Sequence, residues 1–204
     1  MAPRFIAQQL SHPSGWLGLI VTQLTNRGNA PINAFALEKL TPSSHDRILE
    51  IGFGGGPLLP ELIARAALVC GVDYSDQAVA RANARFAEQV DTGRADFRKG
   101  QIEALPFSDR SFDKALTINT VYFWKSLGQG FAEIGRVLVP GGRAVVGFLP
   151  KEFMDKVNMP VDIFTSRRPE EVTQAMREAG FNDVRVERPS PETKWNVVVA
   201  TRGP

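Results

Sequence analysis

The 204-residue chain is poor in the residues that staple or metallate small proteins, with one cysteine and two histidines. A single thiol, Cys70, forms no intramolecular disulfide and cannot supply a zinc site built from several thiolates. His12 and His45 alone leave a histidine-rich metal centre without ligands, so no metal is expected. Long apolar runs are missing as well. The stretch Trp16-Leu17-Gly18-Leu19-Ile20-Val21 ends after six residues, behind the break at His12-Pro13-Ser14-Gly15. A membrane span needs about 20 apolar residues, and a secretory leader needs a basic start and a small-residue cleavage site. Neither is found, and a cytoplasmic location is expected. Charge of one sign is not in excess: 24 Lys and Arg face 22 Asp and Glu, a net +2, with no dense basic run to hold nucleic acid. With 43% hydrophobic and 23% charged residues the composition is globular, not disordered. A chain of this length buries roughly 70% of its unfolded surface, enough for one domain that folds without staples.

What is present is an alternation of short apolar runs with helical patterns from Asp46 onward. Arg47–Ile51 reads as a first strand and Pro57–Ala66 as the helix after it, followed by a second strand at Leu68–Asp73. Ser75 is placed to cap a helix whose Val79, Ala82 and Phe86 share a face. A short strand near Asp96–Arg98 and a fourth at Phe112–Ile118 come next. Leu127, Phe131, Ile134 and Leu138 then stripe a helix expected to stop at Pro140-Gly141-Gly142, before a fifth strand at Arg143–Leu149. Pro169 opens a last helix that Gly180 ends, and two strands, Phe181–Val186 and Trp195–Ala200, close the chain with no helix between them. This pattern predicts an α/β fold: a doubly wound, seven-stranded, mostly parallel sheet with an antiparallel last strand. Residues 1–46 are expected as a helical extension, with Ile32, Phe35, Ala36 and Leu40 lying on the core or over a site as a lid. Residues 47–204 form the sheet domain.

In such a sheet, ligands bind outside the carboxyl ends of the strands. The first strand runs into Glu50-Ile51-Gly52-Phe53-Gly54-Gly55-Gly56-Pro57. A merely tight turn needs one or two glycines; four in five residues let backbone approach a ligand closely. A dinucleotide fingerprint aligned on Gly52 and Gly54 would place Pro57 at its third glycine, and the carboxylate of Glu50 would repel a pyrophosphate. A ligand carrying an ammonium group would favour that carboxylate. Asp73 ends the second strand, 21 residues after Gly52, where it can accept hydrogen bonds from both hydroxyls of a ribose.

These motifs, together with Gly71-Val72-Asp73-Tyr74-Ser75, Gly100–Phe107, Ser111-Phe112-Asp113 and Arg136–Gly142, make the chain resemble the class I S-adenosylmethionine-dependent methyltransferases. The resemblance runs from about Arg47 to Thr201 and is closest to the small-molecule branch of the ubiquinone and menaquinone biosynthesis methyltransferases. It implies S-adenosylmethionine as cofactor and S-adenosylhomocysteine as product. It also implies that Gly52, Gly54 and Gly56 sit against the methionine part, Glu50 near its ammonium, Asp73 on the ribose and Tyr74 on the adenine. Gln101 stands where the branch has Asp; its amide oxygen can still accept from the adenine amino group. Ile102 would add an apolar adenine contact, and Asn119 and Thr120 would face the cofactor near its sulfonium.

Methyl transfer from a sulfonium is an in-line displacement that needs a general base only when the acceptor must lose a proton. The corner Asn119-Thr120-Val121-Tyr122 lacks the prolines of the Asn/Asp-Pro-Pro-Tyr/Phe motif, which counts against base or glutamine methylation. Tyr122 and Trp124 are expected to line an acceptor pocket, with Tyr122 also a catalytic candidate; Phe123 suits pocket and core equally. His12 is a candidate base, or a loop residue beside Pro13. Residues 153–168 are either a lid or an ordinary connection. A small-molecule acceptor methylated on O, N or C is the expectation. The alternatives are a nicotinamide-dependent oxidoreductase and a protein that binds S-adenosylmethionine without catalysis.

Overall fold

The computed structural model describes residues 28–157, 160 and 162–204. Helix α1 (Ala30–Leu40) opens with a proline in its first turn and ends at Thr41, whose backbone turns left-handed at φ 50°. The chain then alternates β1 (Arg47–Ile51), α2 (Leu59–Arg65), β2 (Leu68–Asp73), α3 (Asp76–Arg85), α4 (Ala87–Asp91), β3 (Ala95–Lys99) and β4 (Phe112–Ile118). It finishes with α5 (Leu127–Val137), β5 (Leu138–Phe148), α6 (Lys151–Val157), α7 (Pro169–Glu178), β6 (Phe181–Glu187) and β7 (Asn196–Arg202). The seven strands lie in the order β3-β2-β1-β4-β5-β7-β6. β1 pairs in parallel with both β2 and β4, while β7 runs antiparallel between β5 and β6. The chain order reverses between β1 and β4, so the carboxyl ends of these two strands frame the crevice where ligands bind in such sheets.

Alternation along each strand feeds two cores. Ile48, Leu116, Val145 and Val197 face α1 and α2 with Leu37, Leu40, Leu59 and Leu62. Leu49, Val146, Phe148 and Val198 face the opposite way, onto Phe131 and Ile134 of α5 and Met176 of α7. Helix starts follow local chemistry. The Ser75 hydroxyl accepts from the Ala78 N–H at 3.3 Å as the sequence predicts, and Ser126 does the same for Gln129 at 3.2 Å.

One expectation is corrected and two are narrowed. Of the two places expected for the helix around Ile32–Leu40, on the core or over a site, the core is the one occupied: Ile32, Ala36, Leu37 and Leu40 are core residues. Gly147 of β5 lets this helix lie close, since a Cβ there would come within 3.1 Å of the Ile32 side chain. This helix and the sheet share one hydrophobic cluster. The Pro140-Gly141-Gly142 segment does not separate helix from strand. Leu138 already pairs with Phe112, the pairing then jumps to Lys114 with Arg143, and the proline and glycines form a bulge within β5. Finally, part of the stretch expected as a lid or connection is the helix α6.

Candidate active site

The crevice between β1 and β4 is built from backbone first. After Ile51 the chain turns at Gly52, φ 69°, and the Gly52 N–H donates to the Val72 carbonyl at 2.7 Å, holding the turn against β2. A Cβ on Gly52 would strike the Thr120 methyl, so glycine is required both by its conformation and by the approach of β4. Gly56 closes the turn with its N–H on the Phe53 carbonyl at 2.7 Å. Gly54 differs from both neighbours: at φ 54°, a Cβ there would meet nothing within 4 Å. Its N–H donates to Asp73 Oδ2 at 2.7 Å, and the Ser75 N–H donates to Oδ1 at 2.8 Å. Asp73 thus ties the β1–α2 turn to the β2–α3 turn, with Tyr74 half exposed beside it, at 51%.

Glu50 stands beneath this turn with 6% exposure, and its Oε2 is buried without a hydrogen-bond partner. Burial, reinforced by the nearby Asp73 carboxylate, pushes its acid up to about 8. An orphaned carboxylate next to a second carboxylate suits a ligand that brings a cation and opposes one that brings a pyrophosphate. These carboxylate acceptors would suit the ammonium and the ribose hydroxyls of S-adenosylmethionine.

On the other side of the crevice, Asn119 leaves β4 left-handed at φ 57°, its N–H on the Gly147 carbonyl at 2.7 Å. The Thr120 hydroxyl bonds that of Thr117, which in turn donates to the Ile51 carbonyl at 3.0 Å. Glu50, the glycine turn, Asp73, Asn119 and Thr120 are thereby gathered at one place. Gln101 lies exposed on a tight turn closed by the Ala104 N–H on its carbonyl at 3.1 Å, and Ile102 is buried against Gly130 of α5.

The aromatic triplet behaves differently from the expectation. Tyr122, read as a catalytic residue and an acceptor contact, is 3% exposed. Its hydroxyl accepts from the Leu149 N–H and donates to Asn119 Oδ1 at 3.0 Å, and burial holds the phenol above its usual range. A phenol so placed stays protonated and does not serve as a base. Trp124 is also core, not pocket wall. It is 4% exposed, packs edge-on to Phe131 at 5.1 Å and lies so close to Gly130 that a Cβ there would come within 2.6 Å of the indole. Phe123 is the one left at the surface, 38% exposed, with its ring 4.8 Å from Phe164. Sequence reasoning missed Arg167, whose guanidinium donates to the Val121 and Trp124 carbonyls and pins this loop. No local signal marks it, because its partners are backbone atoms more than 40 residues away. His12 lies outside the described residues. His45 is exposed beside Ser44, just before β1 and so at the opposite edge of the sheet. An open cavity of about 390 Å³ lies beyond the end of β5, lined among others by Pro150, Phe153, Arg188 and Lys194.

A family model described as a methyltransferase domain matches residues 49–146, from the second half of β1 through the glycine turn, Asp73 and Asn119 to most of β5. Over these residues the chain is similar to the methyltransferase domain family and to the class I S-adenosylmethionine-dependent methyltransferases that its relatives represent. Among its relatives, the uncharacterised methyltransferase YdaC of Bacillus subtilis is 29% identical over 126 residues, 61% of this chain and 67% of that protein. The ubiquinone/menaquinone biosynthesis C-methyltransferase UbiE of Geotalea daltonii is 31% identical over 115 residues, 55% of this chain and 49% of that protein. The chain thus spans two thirds of the first and half of the second. A solved structure of an S-adenosylmethionine-dependent methyltransferase from Thermotoga maritima superposes with a TM-score of 0.68 at 22% identity, covering 98% of this chain and 100% of that one. At that identity the likeness shows the fold alone. Among its described residues no helix is long and apolar enough to cross a membrane, and no cluster of His, Cys, Asp or Glu is grouped to hold a metal ion.

Proposed function

We propose that this chain transfers the methyl group of S-adenosylmethionine to an O, N or C atom of a small molecule by in-line displacement. The observation that carries the reading is the buried, unpartnered Glu50 carboxylate under a glycine turn that Asp73 clamps at the β1/β4 crevice. In this reading Glu50 holds the cofactor's ammonium, and the backbone at Gly52, Gly54 and Gly56 accommodates its methionine part. Asp73 holds the ribose, and Tyr74, Gln101 and Ile102 serve the adenine. Asn119 and Thr120 stand on the reacting side. Bound there, the cofactor supplies a methyl group on a positively charged sulfur. The chain's own contribution is to fix that end in line with the acceptor and to exclude water.

Tyr122 is a positioning residue in this scheme. By donating to Asn119 Oδ1 it holds the Asn119 amide in place at the end of β4. The named UbiE relative acts, by its name, as a C-methyltransferase, which supports a small-molecule acceptor. The nicotinamide alternative gains nothing from the relatives above. The same reading keeps the expected cytoplasmic location, which cell fractionation checks.

Calorimetric titration with S-adenosylhomocysteine, with NAD as control, tests the cofactor. Binding of the first in the micromolar range and none of the second is expected; the reverse overturns the reading. Transfer of labelled methyl to a panel of phenols, amines and quinone precursors then tests activity, and silence across the panel would leave a cofactor-binding protein without catalysis.

A further inference from the structure

Glu50 carries a consequence that cofactor binding alone does not include. Its Oε2 is buried with no hydrogen-bond partner, and the charged group that acts on it is the carboxylate of Asp73 at the end of β2. The ionisable groups of the other elements around β1 are committed elsewhere. On β4, Lys114 pairs with Asp46 and Asp113 with Arg47. On α1, Lys39 pairs with Glu38 and Glu187, and on α2, Arg65 pairs with Glu61. Among the described residues, the charged group that acts on Glu50 is Asp73. Of the two acids, Asp73 receives backbone N–H donors on both oxygens, the arrangement that favours a charged carboxylate, whereas Glu50 receives none on Oε2. A buried carboxyl with an unpartnered oxygen and a second carboxylate nearby favours its neutral form until a cation arrives.

We infer that Glu50 carries a proton until an ammonium group binds beside it and then releases that proton to solvent, so that each cofactor taken up is exchanged for one proton. The Glu50 O–H bond breaks heterolytically, its electron pair stays on the carboxylate, and the proton passes to water or buffer. The charge that holds the ligand is thus created by the ligand, and the site discriminates in favour of molecules that bring their own cation. The rise of this acid to about 8, caused first by burial and then by Asp73, puts the exchange in the neutral range. This inference rests on the S-adenosylmethionine reading above.

The test is calorimetry of the full chain with S-adenosylhomocysteine in buffers of different ionisation enthalpy. The slope of observed against buffer enthalpy counts the protons released. It is expected near one at about pH 6.5 and near half at about pH 8, as linkage requires for an acid at about 8. 5′-Methylthioadenosine, which has the nucleoside but no ammonium, is expected to bind without a buffer-dependent heat. Glu50→Gln, a near-isosteric change, should bind S-adenosylhomocysteine more weakly with the slope abolished. Binding of S-adenosylhomocysteine with zero slope overturns the inference and leaves the cofactor reading intact. So does a slope that persists in Glu50→Gln or appears equally with methylthioadenosine. No binding by folded protein overturns the cofactor reading itself. If Glu50→Gln does not fold, the methylthioadenosine comparison still decides.

Discussion

The two sides of the crevice are built on opposite principles. The β1/β2 side is mostly backbone: a glycine turn, open space at Gly54, and a buried acid with an orphaned oxygen. The β4/β5 side is filled with side chains that satisfy one another. The Tyr122 hydroxyl bridges Asn119 and Leu149, Arg167 holds two carbonyls, and Trp124 is wedged on Gly130. An unsatisfied buried polar group costs stability and persists where something else completes it; a satisfied network is complete in itself. The first side therefore announces its ligand, and the second announces only its own rigidity.

Variants can break or sharpen that contrast. The largest effect is expected from Trp124→Ala, which removes a buried indole and should cost about 3–5 kcal/mol of stability. Denaturant melts should show that loss while S-adenosylhomocysteine affinity of the folded protein hardly changes. A stable variant would return Trp124 to the pocket wall.

Next is the pH dependence of the ligand-free protein. A carboxyl raised from 4.5 to about 8 on folding favours the native state below its unfolded value, and that contribution is lost as pH rises toward about 8. Glu50→Gln should remove this part of the fall, a few kcal/mol in wild type, and a melting temperature with the same pH slope in both proteins would contradict it. Lowered acids such as Asp113, held down first by Arg47, act in the opposite sense, losing their contribution as pH falls through their native range.

Asp73→Ala should weaken S-adenosylhomocysteine binding by about 1.5–3 kcal/mol, the range for hydrogen bonds to a charged group, without unfolding the chain. Unchanged affinity would remove the ribose role. The smallest effect belongs to Tyr122→Phe, which strands the Leu149 N–H and should cost about 1–2 kcal/mol in stability. Its S-adenosylhomocysteine affinity should stay close to wild type, because the ring and its packing against Phe164 remain. A large loss of affinity would move Tyr122 from positioning into the binding surface.

The sheet and the binding turn were legible because their signals are local. Strand runs, the cap at Ser75, the helix start at Pro169, and an acid two residues ahead of a glycine cluster are each set within a few residues of chain. The β4 corner was not legible for the same reason inverted. Tyr122, Phe123 and Trp124 are adjacent in sequence, yet two are core and one is surface, because what surrounds them comes from Phe131, Leu149 and Phe164. No local period distinguishes them.

By itself the sequence determined the α/β class, the strand count, the turn that glycine alone can make, and which acids flank it, since backbone sterics and hydrophobic alternation act over short range. The tertiary structure decided which of those acids lacks a partner, which aromatic reaches the surface and that α1 is core and not cover. Burial and electrostatic environment are sums over neighbours distant in the chain, so only the folded arrangement of β1, β2, β4 and β5 assigns them.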